Sequence, residues 1–81
     1  MKLQNIHLKE LKLLIDEGVM LDFYVRPCSD GFILCVSSAS GAKILSSQRS
    51  GRRIFKTLDA VFSLLVDLKV DGFGVEFLSG E

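Results

Sequence analysis

An α+β fold is what this sequence predicts: an antiparallel sheet of four to five strands with two helices packed on one face, in the order α-β-β-β-β-α-β. Three observations predict it. Residues 5–17 and 58–69 carry apolar side chains at helical spacing. The segments between them are short, rich in β-branched and aromatic residues, and punctuated by Gly and Ser. Consecutive strands joined by short turns pair as an antiparallel meander. With 81 residues the chain makes one domain, 1–81. Its 48% apolar content is a generous supply for the core of so small a domain.

The first helix is read over residues 5–17. Leu8, Leu11, Leu14 and Ile15 recur at i, i+3, i+6 and i+7, with Lys9, Lys12 and Asp16 opposite. Leu3 and Leu13 widen the stripe, Asn5 is the expected N-cap, and Gly18 the residue after the C-cap. Residues 21–26 alternate as a strand, with Leu21, Phe23 and Val25 inward and Asp22, Tyr24 and Arg26 outward. Pro27 closes that strand because it has no amide to donate, and Ser29-Asp30-Gly31 is a turn.

Residues 32–36 are apolar throughout, so the second strand is expected to be covered on both faces. Residues 37–41 are a small-residue turn. Residues 43–48 and 52–56 form a second hairpin around Ser50-Gly51. Thr57 caps a helix running to about Lys69, with Asp59 in its first turn. Asp59, Ser63 and Asp67 form its one polar stripe, leaving more apolar circumference than a sheet hides. The first helix or a second copy is expected to cover the rest. Val70-Asp71-Gly72 breaks the helix, and residues 73–78 make the last strand.

Charge is divided along the chain. Residues 31–58 contain no Asp or Glu but hold Lys43, Arg49, Arg52, Arg53 and Lys56, while the remainder holds all ten acids and five bases. The net charge of zero thus conceals a basic stretch, which attracts phosphate or an acidic partner. A β-ribbon bearing arginines can track phosphates or enter a groove. The competing reading is of ordinary solvated charges that protect a sheet edge. Arg52 and Arg53 are adjacent, so at most one of them joins a flat patch.

Catalytic chemistry finds no constellation. His7, the one histidine, reads as a surface or capping residue. No base stands beside a Ser or Cys nucleophile. The glycines match neither dinucleotide nor phosphate-loop patterns, and Asp59, Asp67 and Asp71 are too dispersed to hold a metal. Tyr24 could stack on a base but more often covers sheet surface. Cys28 and Cys35, seven apart, match no redox or zinc motif and do not face each other in the first hairpin. They are expected as free thiols.

The segment Arg53-Ile54-Phe55-Lys56-Thr57-Leu58-Asp59-Ala60-Val61 resembles a pattern of very small proteins of bacterial plasmids, integrative elements and phages. In these, a basic strand ends in Phe-Lys-[Ser/Thr]-Leu-Asp-Ala and enters a helix. The opening segment, with Leu11, Leu14, Gly18, Phe23, Tyr24 and Val25, looks like the start of short accessory proteins of plasmid replication or partition. The junction also resembles that of the small three-stranded DNA-binding domains of phage integrases. The resemblance implies a bacterial mobile-element setting and points to DNA. It brings no catalytic residue.

The expectation is a small non-enzymatic accessory protein that binds nucleic acid through Lys43, Arg49, Arg52, Arg53 and Lys56. The alternative is a protein-interaction or dimerisation module without nucleic-acid binding. A homodimer formed through Phe62 and Val66 is expected on either reading, and a protein partner is the further option. No cofactor, metal or membrane is expected. The chain opens without a signal-like run and has no apolar stretch of membrane length, which reads as cytoplasmic.

Overall fold

The computed structural model describes residues 4–47 and 51–76. In chain order the elements are β1 (Gln4–His7), α1 (Leu8–Asp16), β2 (Asp22–Cys28), β3 (Gly31–Ser38), β4 (Gly41–Ser47), β5 (Gly51–Arg52), α2 (Leu58–Asp67) and β6 (Gly74–Val75). The α+β class holds, and the sheet corrects the expectation. It has six strands in the order β1-β4-β3-β2-β6, with β5 beside β4. It is mixed: β1 runs parallel to β4 and β6 parallel to β2, around an antiparallel β2-β3-β4 centre.

The added strand, β1, lies in residues read as the start of the first helix. Only Ile6 of its four residues is buried, so no alternation marks it. Pairing with β4 creates it: Ile6 lies across from Leu45, and both side chains enter the core. The helix therefore begins at Leu8, and His7 replaces Asn5 as N-cap with extended backbone. The Glu10 carboxylate accepts from the His7 amide at 3.2 Å, and the His7 ring Nδ1 lies 3.3 Å from the Ser46 carbonyl. That contact makes Nδ1 the protonated nitrogen. At the other end Gly18 takes the left-handed conformation expected of it, with φ 76°.

One face of the sheet holds the core. Leu11 of α1 and Val61 and Leu65 of α2 meet Phe23, Val25, Leu34, Val36 and Leu45 there, with Phe55 and Leu68 closing the ends. Leu8, Leu14 and Ile15 pack partly buried against it, as their spacing predicts, whereas Leu13 points outward. Thr57 caps α2 as expected: its hydroxyl accepts from the Ala60 amide at 3.2 Å. The helix stops at Asp67, earlier than its apolar pattern suggests, and Lys69 adopts a left-handed φ of 63°.

No described helix covers the opposite face, yet Ile33 and Cys35 are buried there. Their cross-strand neighbours are Arg26 and Tyr24. Arg26 Nε meets Glu76 Oε1 at 2.9 Å, both side chains about half exposed. The expected cover on both faces of β3 therefore comes on this side from long neighbouring side chains.

The second hairpin is shorter than expected. Only Gly51 and Arg52 pair with β4, opposite Ser47 and Ser46. β3 and β4 pair from Ser38↔Gly41 to Cys35↔Ile44 and then part. The chain enters the fork between them. The Arg53 amide donates to the Leu45 carbonyl at 2.9 Å, and Phe55 then bridges Phe32 with bonds of 2.7 and 2.8 Å. Residues 52–56 thus divide between two strands. The last strand, expected over 73–78, is β6 plus an amide bond from Glu76 to the Val25 carbonyl at 2.8 Å. Residues 77 and 78 of that expectation lie outside the described residues.

Gly31 makes the fork possible. A Cβ there would fall 2.2 Å from the Phe55 carbonyl oxygen, and its φ of 148° suits glycine alone. Gly31→Ala is expected to lower stability by more than about 2 kcal/mol, through a broken bridge and backbone strain. The urea midpoint measures it; a midpoint equal to wild type would show that the fork opens without cost.

Candidate functional site

The described bases of the acid-free stretch do not form one flat patch. Lys43 pairs with Val36 and Gln4 and is half-buried. Two residues from the core residue Leu45, it lies on the helix-bearing face. Arg52 lies opposite Ser46, three positions further along β4, and so belongs to the other face. Lys56 is exposed beside Gly31, its Cα 3.2 Å from where a Cβ on that glycine would stand. Arg49 lies outside the described residues. Strand alternation separates Lys43 from Arg52, and the fork carries Lys56 away from both, because residues 52–56 change strand within it.

Arg53 finds different company. Its guanidinium carbon lies 4.8 Å from the centroid of the buried Phe55 ring, a stacking that fixes a long side chain. It lines a cleft with His7, Leu8, Lys9, Ser46 and Ser47, at the end of the sheet where α1 begins. Ser46 is buried, its hydroxyl donating to the Ile44 carbonyl at 3.1 Å. His7, Lys9, Ser46 and Ser47 are the polar members that sequence reasoning missed. Lys9 sits on the outer face of its own helix, and nothing local announces that β1 pairs with a strand some forty residues away.

A second surface is apolar. Leu58, Phe62 and Val66 follow one another at spacing four along α2, next to the buried stripe of Val61 and Leu65. They are 38%, 58% and 54% exposed. The other flank of α2, at Asp67 and Leu68, faces Lys12, Ile15 and Asp16 of α1 across a groove. The first helix therefore lies on the side that Phe62 and Val66 do not occupy. Of the two covers the sequence left open, α1 does not supply the missing one.

No protein-family model, curated protein or solved structure matches this chain. No described helix is long and apolar enough to cross a membrane. Among the described residues, no three His, Cys, Asp or Glu side chains come together as a metal site.

The cysteines are unbridged. Cys28 pairs across from Gly31 and Cys35 across from Tyr24, so they do not face each other, as the hairpin register implies. Burial pushes the Cys35 thiol up, and burial, followed by the neighbouring Cys35, raises the Tyr24 phenol. A thiol-specific dye at neutral pH is expected to label the half-buried Cys28 faster than Cys35, which reacts only as fast as the protein opens. Unfolding lets Cys35 ionise at a lower pH than folding allows. Its contribution is therefore complete below its unfolded pKa and lost as pH rises from there through its higher folded pKa. Equal labelling rates for the two thiols in the native protein would contradict this placement.

Proposed function

We propose that this protein is a small non-enzymatic interaction module that works as a pair of chains joined through α2. One observation carries the reading: Leu58, Phe62 and Val66 form an apolar row on the flank of α2 that the first helix leaves open. The row is centred on Phe62 with equal spacing on either side. Two antiparallel copies of α2 about a two-fold axis would set Phe62 against Phe62 and Leu58 against Val66, the self-matching that an isologous contact requires. Three side chains are the centre of a contact smaller than standard interfaces, so association is reversible and concentration-dependent.

Sedimentation from micromolar to near-millimolar chain is expected to move the mass from 9.0 kDa toward twice that value. Phe62→Asp is expected to hold it at the lower value without loss of stability, because Phe62 is exposed. A wild-type monomer across the range, or a variant that associates as wild type does, would refute the pairing.

A second reading, nucleic-acid binding, is favoured by Arg53 and Lys9 meeting at one cleft with Arg52 on the adjacent strand. The resemblance of the Phe55–Ala60 junction to mobile-element proteins turns this reading toward DNA and a bacterial accessory role. Pairing through α2 would double the number of bases presented. In a retardation assay on duplex DNA, affinity is expected to fall steeply with salt. Arg52→Glu is expected to flatten the log–log slope by about 0.9 for each phosphate that the variant no longer neutralises. Absence of any shift at low salt would remove this reading and leave the α2 pairing standing.

A further inference from the structure

We propose that the cleft between the start of α1 and the β4–β5 end of the sheet is a phosphate-binding site, walled by Lys9 and Arg53 and floored by His7, Ser46 and Ser47. The inference deepens the nucleic-acid reading and rests on it for the macromolecular source of the phosphate. Free phosphate carries the same chemistry.

The cleft measures about 330 Å³, and among the described residues no acid lines it, although the chain carries ten. The nearest carboxylate in sequence, that of Glu10, is turned back onto the His7 amide. Among the described residues neither Lys9 nor Arg53 is paired with a carboxylate. Lys9 stands in the first turn of α1, where the partial positive charge of the helix start disfavours a base. Glu10 answers the helix start itself, whereas the two cations gathered at the cleft have no such partner, an arrangement that an anion would stabilise. The groups also suit phosphate. A guanidinium offers paired donors, and Arg53 is held in place by its stacking on Phe55. The His7 ring is fixed by its bond to the Ser46 carbonyl. Restraint of this kind reduces the entropy cost of binding.

The test is a pair of NMR titrations of the full chain, one with inorganic phosphate and one with a single-stranded DNA oligonucleotide. Each is repeated on Lys9→Gln/Arg53→Gln and on Lys9→Gln alone. The single variant alters an exposed side chain and guards against loosening of the Phe55 region. Both probes are expected to move the amides of His7, Lys9, Ser46 and Ser47 first. The double variant is expected to bind each probe about tenfold more weakly or worse, since two charge-assisted hydrogen bonds are removed. The single variant is expected to weaken binding less, in the same direction. Phosphate binding without DNA binding would keep the site and remove the nucleic-acid reading. DNA binding that leaves these amides unmoved, or that survives both variants, would overturn the site and keep that reading. No response to either probe would overturn both.

Discussion

Two backbone hydrogen bonds between Phe32 and Phe55 hold the chain in the fork between β3 and β4, and much of the structure depends on them. Without the bridge, the start of β3 and the end of β4 would leave their facing edges unpaired beside the core, which buried backbone does not tolerate. With it, the Phe55 ring closes one end of the core, and the chain is delivered to Thr57 in position to start α2 over the same face as α1. Gly31 lets the Phe55 carbonyl come so close. The fork also cuts the β4–β5 ladder to two residues and sends the bases that follow to different places.

The parallel pairing of β1 with β4 has the second largest consequence. It fixes the start of α1 at His7 and sets that start beside Ser46. A base from the first helix and a base from the fork thereby come to line one cleft. Their meeting follows from the pairing of β1 with β4 and from the path of the chain through the fork. The stacking of Arg53 on Phe55 ties the cleft to the fork, so the constraint that shapes the sheet also positions a charged wall of the cleft.

Much of the fold was legible because it is local. The i, i+3, i+6, i+7 spacing around Leu11, the cap at Thr57, the turn glycines and the alternation of Phe23 and Val25 each carry their signal within a few residues. The cysteine register followed from one tight turn. The excess of apolar residues on α2 was legible too, because a helix has only one face to give to a sheet. β1 was not legible: four residues with one buried side chain carry no period, and a parallel partner about forty residues away leaves no mark in the local sequence. The basic hairpin was half legible. Alternation along the strands already separates Lys43 from Arg52 and Arg52 from Arg53, whereas the displacement of Lys56 follows from a change of strand that Gly31 permits and no turn signal announces.

By itself the sequence determined the class of the fold, the identity of both helices, the free state of the thiols and the concentration of positive charge in the middle of the chain. These rest on side-chain period and on turn geometry, which act over one or two turns of backbone. Tertiary structure alone decided that the sheet is mixed, that α1 lies on the Asp67 flank of α2 and leaves Phe62 and Val66 exposed, and that Lys9 shares a cleft with Arg53. Those outcomes depend on which edges find each other when the core closes. That is a competition among distant segments for the same buried face, and composition and spacing do not encode its result locally.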